Sequence, residues 1–184
     1  MTAATVNATG VSTWLIDPSH SQSDFAVKHM MFSTVKGAFS GIGGEIYLDD
    51  ENLAGSRVVV EIDASSVTTR DEKRDEHLRS ADFFNVEEYP SLRFESTEVI
   101  PVNEDRFRLL GNLTIGAITR PVEIQAQKNG EGVNPYGATV AGFEGSTKIN
   151  RKDFGLNWNV ALEAGGFLVG EEVKIHLEVQ ALRQ

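Results

Sequence analysis

Residues 173–181 read Val-Lys-Ile-His-Leu-Glu-Val-Gln-Ala. Val173, Ile175, Leu177, Val179 and Ala181 share one parity, and Lys174, His176, Glu178 and Gln180 share the other. Successive side chains of an extended chain point to opposite faces, so this stretch is a strand with one dry face and one wet face. Such alternation belongs to antiparallel sheets, because parallel sheets are buried on both sides. The same period recurs upstream. Phe25, Val27 and His29 oppose Asp24, Ala26 and Lys28. Ile46 and Leu48 oppose Glu45, Tyr47 and Asp49. Val58, Val60 and Ile62 oppose Arg57, Val59 and Glu61. Leu113 and Ile115 oppose Asn112 and Thr114, and Val122, Ile124 and Ala126 oppose Glu123, Gln125 and Gln127.

Turn-forming residues separate these runs: Gly43-Gly44, Asp49-Asp50-Glu51-Asn52, Asn103-Glu104-Asp105, Asn129-Gly130, Asn150-Arg151-Lys152-Asp153 and Gly165-Gly166. Several runs are roughly ten residues long, about 33 Å of strand. Long antiparallel strands favour a closed, elongated barrel, since closure removes exposed edges. A two-sheet sandwich is the competing arrangement. A single helical run breaks the pattern, the charged stretch from Thr69 to Leu78. It leads through Ser80-Ala81-Asp82 into Phe83-Phe84 and then Tyr89-Pro90. One helix followed by two phenylalanines reads as a lid on a β container, with Leu78, Phe83 and Phe84 as its apolar underside.

With 184 residues, 27 acidic and 17 basic, the chain carries a net charge of -10. That size suits one domain with a substantial core. The charge opposes nucleic-acid binding and steady docking on anionic lipid. There is no cysteine, which excludes disulfides, thiolate metal sites and a cysteine nucleophile. Residues 1–12 are small and polar and read as a disordered arm, leaving 13–184 as the domain. The N-terminus has neither a basic nor an apolar signal region, and no apolar run approaches a membrane span. A cytoplasmic protein is expected.

At these residues the chain resembles the YceI-like family. The resemblance is carried first by Trp14-Leu-Ile-Asp17-Pro-Ser-His20-Ser21, Phe25-Ala-Val27-Lys-His29-Met30 and Val35-Lys-Gly37-Ala-Phe39. It continues with Arg74-Asp75-Glu-His77-Leu78-Arg-Ser80-Ala-Asp82-Phe83-Phe84 and Gly111-Asn-Leu113-Thr114-Ile-Gly116-Ala-Ile-Thr119-Arg-Pro121-Val122. Asp153-Phe154-Gly155-Leu156 and Val169-Gly170-Glu-Glu-Val173-Lys-Ile175 complete it. Asn85 and Ser23 depart from that pattern, where an Asp and a β-branched apolar residue are common. The resemblance implies an all-β fold with one minor helix: an extended, eight-stranded antiparallel lipocalin-like barrel. It further implies a lumen for long apolar chains such as quinone tails or polyprenyl phosphates. No cofactor, no metal and no catalysis are expected, only a bound isoprenoid lipid.

Phe25, Phe32, Phe39, Phe83, Phe84, Phe94, Phe143, Phe154 and Phe167 fall in or beside strand and lid segments. Two readings stay open for them: they fill a solid core, or they line an apolar tunnel together with Val27, Leu78, Leu113 and Ile115. His29 shares the parity of Phe25 and is placed to meet a polar head group, or is a satisfied histidine at a barrel end. Arg74 and Arg79 are candidates for a phosphate-binding collar at the mouth, against the plainer reading of a solvated helix face. Asp75 and Arg79 are spaced as a surface pair, and Asp82 as the cap of the turn over Phe83-Phe84. Two other classes are kept: a barrel enzyme using His29, His20 and Asp24 on a hydrophobic small molecule, and a module binding a basic protein through its acidic outer face. A homodimer is the expected assembly.

Overall fold

The computed structural model describes residues 10–184. Eleven strands are present: β1 (Val11–Ile16), β2 (Gln22–His29), β3 (Ser33–Phe39), β4 (Ile42–Asp49), β5 (Arg57–Asp63), β6 (Val67–Thr68), β7 (Ser91–Pro101), β8 (Arg106–Ile115), β9 (Ile118–Val133), β10 (Thr139–Asn150) and β11 (Val169–Arg183). Among the described residues one α-helix, α1 (Glu72–Arg79), interrupts them. Every strand pairing is antiparallel. The sheet order runs β1-β4-β5-β7-β8-β9-β10-β11, and β11 pairs back onto β1. That last ladder, Trp14 opposite Arg183 and Ile16 opposite Ala181, closes an eight-stranded barrel and removes the sandwich alternative.

Three staves of the barrel are broken strands. β1 and β2 lie end to end along β11, separated by a 3₁₀ turn at Pro18–His20. β3 and β4 lie along them in the same way, and β6 extends the line of β5. The intact staves are long: β9 has 16 residues and β11 has 15, about 50 Å of extended chain each. The barrel is therefore elongated, as the alternating pattern predicts. Residues 1–9 of the expected arm lie outside the described residues, and strand already begins at Val11, which pairs with Asp49.

Alternation fixes which side chains face in. Trp14 is fully buried and closes one end of the barrel with Ile16, Ile46, Leu48, Ala141, Phe143 and Ala181. Its indole Nε1 donates to Ser12 Oγ at 2.8 Å, so the ring is buried without an orphaned donor. A second cluster, including Phe39, Leu92, Ile115, Ile149 and Phe154, packs under α1 at the other end. Gly44 shapes β4: its φ is +131°, and a Cβ there would lie 2.0 Å from the Val59 carbonyl oxygen. Gly44→Ala is expected to cost about 2 kcal/mol of stability, read from urea denaturation. An unchanged midpoint would show that β4 shifts without penalty.

The helix starts three residues later than the sequence pattern suggests. Arg70 takes a left-handed φ of 64°, and Asp71 caps the first turn by accepting from Arg74 N at 3.1 Å. Asp75 is buried at 4% exposure and accepts from Thr69 N and Thr69 Oγ1 at 2.7 and 2.6 Å. It therefore ties the helix to the residue just after β6 instead of pairing with Arg79 on the surface. Arg79 reaches the Ser65 carbonyl and Glu72. Ser80 caps the turn into Phe83-Phe84 in place of Asp82: its carbonyl accepts from Phe83 N and Asn85 N.

Candidate functional site

The inward faces of β2, β3, β5 and β7–β11 enclose a cavity of about 330 Å³ beneath α1. Strand parity places Phe25, Val27 and His29 of β2 on its wall, with Phe39 of β3, Phe94 of β7, and Leu113 and Ile115 of β8. The residues after β6 close it from above, through Leu78 of α1 and then Phe83 and Phe84. Phe84 meets Phe39 edge to face with ring centroids 5.4 Å apart, and Phe39 meets Phe25 at 5.6 Å. The apolar lid expected from the Arg74–Pro90 stretch is thus packed onto the rings of the barrel wall.

Other sequence candidates fall elsewhere. Phe143 lines a second, smaller chamber of about 70 Å³ at the Trp14 end. Phe154 is buried in the wall cluster and does not reach the lumen, because it sits in the 3₁₀ turn after β10, outside the strand alternation. Phe32 is 78% exposed and Phe167 is 56% exposed, so neither lines the cavity. Both occupy connections between strands, where parity no longer assigns a face. Arg79 is drawn away by the Ser65 carbonyl and Glu72 and leaves the mouth to Arg74. The three candidates for acid–base chemistry do not converge. His20 is exposed and bonded to Asp17 at 2.8 Å, Asp24 faces an outer groove, and only His29 faces the lumen. The hydrogen bonds from His20 and Ser19 hold Asp17 below the usual carboxylate range.

Three residues at the mouth carry no periodic signal, and the sequence marks none of them as a site residue. Trp158 stacks edge-on against His77 at 4.6 Å and lies 5.6 Å from Phe83, while His77 and Phe83 meet at 5.1 Å. The His77 ring is further held by Asp82 at 2.8 Å. Leu156 adds apolar surface from the same loop as Trp158. Arg151, at 3% exposure, is the third. Its guanidinium donates to the carbonyls of Gly170 (2.7 Å), Leu156 (2.5 Å), Trp158 (2.9 Å) and Val169 (3.2 Å). Burial pushes its pKa down, and the Glu171 charge opposes that shift. One side chain thereby fastens the mouth loop to the start of β11.

The electrostatics of the lining are one-sided. The chain as a whole is acidic, yet among the described residues that line the cavity there is no Asp or Glu. Of the four basic residues that border it, Arg74 and Arg151 sit by the lid and the mouth loop, whereas Lys28 and Arg93 lie on the outward parity of β2 and β7. Lys28 is engaged by Thr34, and Arg93 by Glu61 and Glu95. Arg74 donates to Thr69 Oγ1 at 2.7 Å and to the Thr69 carbonyl at 2.8 Å, which uses two of its five N–H groups. The cavity is an oily tube with cationic residues near its mouth. For metals, the candidate group among the described residues is Glu144, His176 and Glu178, whose ligand atoms lie within 4.8 Å of one another. It sits on the wet parity of β10 and β11, away from the lumen.

A sequence model of the YceI-like domain matches residues 14–181. The chain belongs to the YceI-like family. A UPF0312 protein of Pseudomonas aeruginosa (strain LESB58) is 39% identical over 165 residues, covering 90% of this chain and 83% of that one. The YceI-like barrel also superimposes on BcnA of Burkholderia cenocepacia with a TM-score of 0.78 at 21% identity, over 90% of this chain and 98% of that one. A polyisoprenoid binding domain from Saccharophagus degradans, implicated in plant cell wall breakdown, superimposes with a TM-score of 0.67 at 14% identity, over 96% of this chain and 99% of that domain. At these identities the two structures speak for the YceI-like fold alone. Among the described residues, no helix is long and apolar enough to cross a membrane.

Proposed function

We propose that this protein binds and carries a long-chain isoprenoid lipid, of the quinone or polyprenyl phosphate type, in the barrel lumen and performs no chemistry on it. The observation that carries this reading is the cavity of about 330 Å³ walled by strand-borne apolar side chains and roofed by Phe83 and Phe84. A polyprenyl tail is uncharged along its length, and its burial is worth roughly 0.8 kcal/mol per methylene. Several isoprene units then offset the cost of association and of ordering a flexible chain. Arg74, with three N–H groups uncommitted, suits an electron-rich head group at the mouth, and His29 suits a quinone carbonyl or head-group oxygen. The name of the Saccharophagus degradans neighbour, a polyisoprenoid binding domain, agrees with this assignment.

Among the described residues that line the lumen there is no carboxylate to work beside His29, which favours a carrier over an acid–base enzyme. The test is organic extraction of freshly purified protein followed by mass spectrometry, and loading of delipidated protein with ubiquinone and with undecaprenyl phosphate. Recovery of an isoprenoid, or stoichiometric uptake of either compound, is expected. Protein that yields no lipid and takes up neither compound overturns the reading.

A further inference from the structure

The lumen is divided in two. The wide chamber under the lid and the narrow chamber at the Trp14 end share four lining residues: Val60, Phe94, Ile124 and Leu177. Phe94 and Leu177 come from β7 and β11, four staves apart in a ring of eight, and so face each other across the barrel. Leu177 and Ile124 both lean over Gly145, where a Cβ would lie 3.6 Å from Leu177 Cδ1 and 3.0 Å from Ile124 Cγ2. On the opposite wall Val60 pairs with Phe94 across the β5–β7 ladder. The Phe94 ring rests over Gly111, where a Cβ would lie 2.6 Å from its Cζ. Beyond this waist the narrow chamber is as oily as the wide one, lined by Ile16, Leu48, Leu109, Ala126 and Val179 among others. No change of polarity marks the boundary. Bulk alone separates the chambers, and Phe94 is the largest of the four residues that supply it.

We propose that Phe94 sets the length of the apolar chain this lumen accepts. The proposal rests on the lumen being the ligand site and adds a specificity-determining residue to it. A chain that ends within the wide chamber leaves the waist intact. A longer chain must turn the Phe94 ring off its seat on Gly111 in an interior packed as densely as a crystal, and that displacement is paid from its binding energy. Removing the ring joins the chambers, and the added methylenes then bury themselves against existing apolar walls.

Geraniol, farnesol, geranylgeraniol and geranylfarnesol, titrated calorimetrically into delipidated protein, provide a ladder of prenyl chain lengths. In the parent protein affinity is expected to rise with length and then stop rising at the longest chain, whose added carbons meet the Phe94 ring. In Phe94→Ala the longest chain is expected to bind at least about tenfold more tightly than in the parent, with geraniol little changed. Adding Ala126→Phe, which fills the narrow chamber from its far side, is expected to cancel that gain. Phe94→Leu keeps an apolar side chain at the waist and gives the same trend should the alanine variant fold poorly. Equal length preference in the parent and in both Phe94 variants overturns the role of Phe94 and leaves the ligand site standing. Failure of the parent and the variants to bind any prenyl alcohol overturns the ligand-site reading, and this inference with it.

Discussion

Arg151→Met is expected to lose about 3–5 kcal/mol of stability, among the largest effects available to a single substitution in this chain. The parent guanidinium satisfies four carbonyls, those of Leu156, Trp158, Val169 and Gly170, at 3% exposure. Methionine keeps the apolar stem and has no donors, so these acceptors lose their partners inside the protein, where each unsatisfied group costs about 1–3 kcal/mol. Loop relaxation toward water keeps the total below the simple sum. Arg151→Lys restores the charge but not the planar fork, and a lysine ammonium has three donors where four bonds are made. It is expected to recover less than half of the loss. Urea denaturation measures the stability, and hydrogen exchange locates the damage, with protection falling first at Leu156–Val169. A lysine variant as stable as the parent would mean that the site needs a charge and not a clasp.

The second large effect concerns binding. Leu113→Trp combined with Val122→Trp is expected to weaken isoprenoid binding by about a hundredfold or more while the barrel still folds. Leu113 and Val122 face the wide chamber from neighbouring strands, β8 and β9. Their enlarged side chains extend into existing space instead of into packed atoms, which limits the overpacking penalty. The apolar area that the ligand would have covered is then covered by the protein itself, and at roughly 0.8 kcal/mol per methylene the loss of four methylene contacts already exceeds a hundredfold. Circular dichroism and a urea midpoint near that of the parent establish folding, and uptake of ubiquinone gives the affinity. Undiminished uptake by a folded double variant would place the ligand outside the lumen.

The mouth is harder to read from the sequence than the wall. Phe25, Val27, Leu113 and Ile115 were assignable because strand parity is a local property, visible in any four consecutive residues. Phe32 and Phe167 were misplaced because they sit one or a few residues beyond the ends of β2 and just before β11, where the alternation stops. Trp158 and Arg151 were missed for the same reason. Their positions depend on a loop that runs from Gly155 to Leu168 and returns to the chain through hydrogen bonds to residues up to 19 positions away. Asp75 was misread because its spacing to Arg79 fits a helical surface pair, whereas Thr69, left of the helix start, captures it in the folded state.

The amino-acid order alone determined the strands, their antiparallel pairing, the dry and wet faces, the single helix and the apolar residues that follow it. All of these follow from periods of two and 3.6 residues and from turn chemistry, which act over a few bonds. Only the tertiary structure decided that the ring closes through β1 and β11, that the dry faces leave space instead of meeting, and that Phe94 divides that space. Closure and hollowness depend on how far apart eight staves stand, and that separation is set by strand number and tilt around the whole ring, not by any one segment.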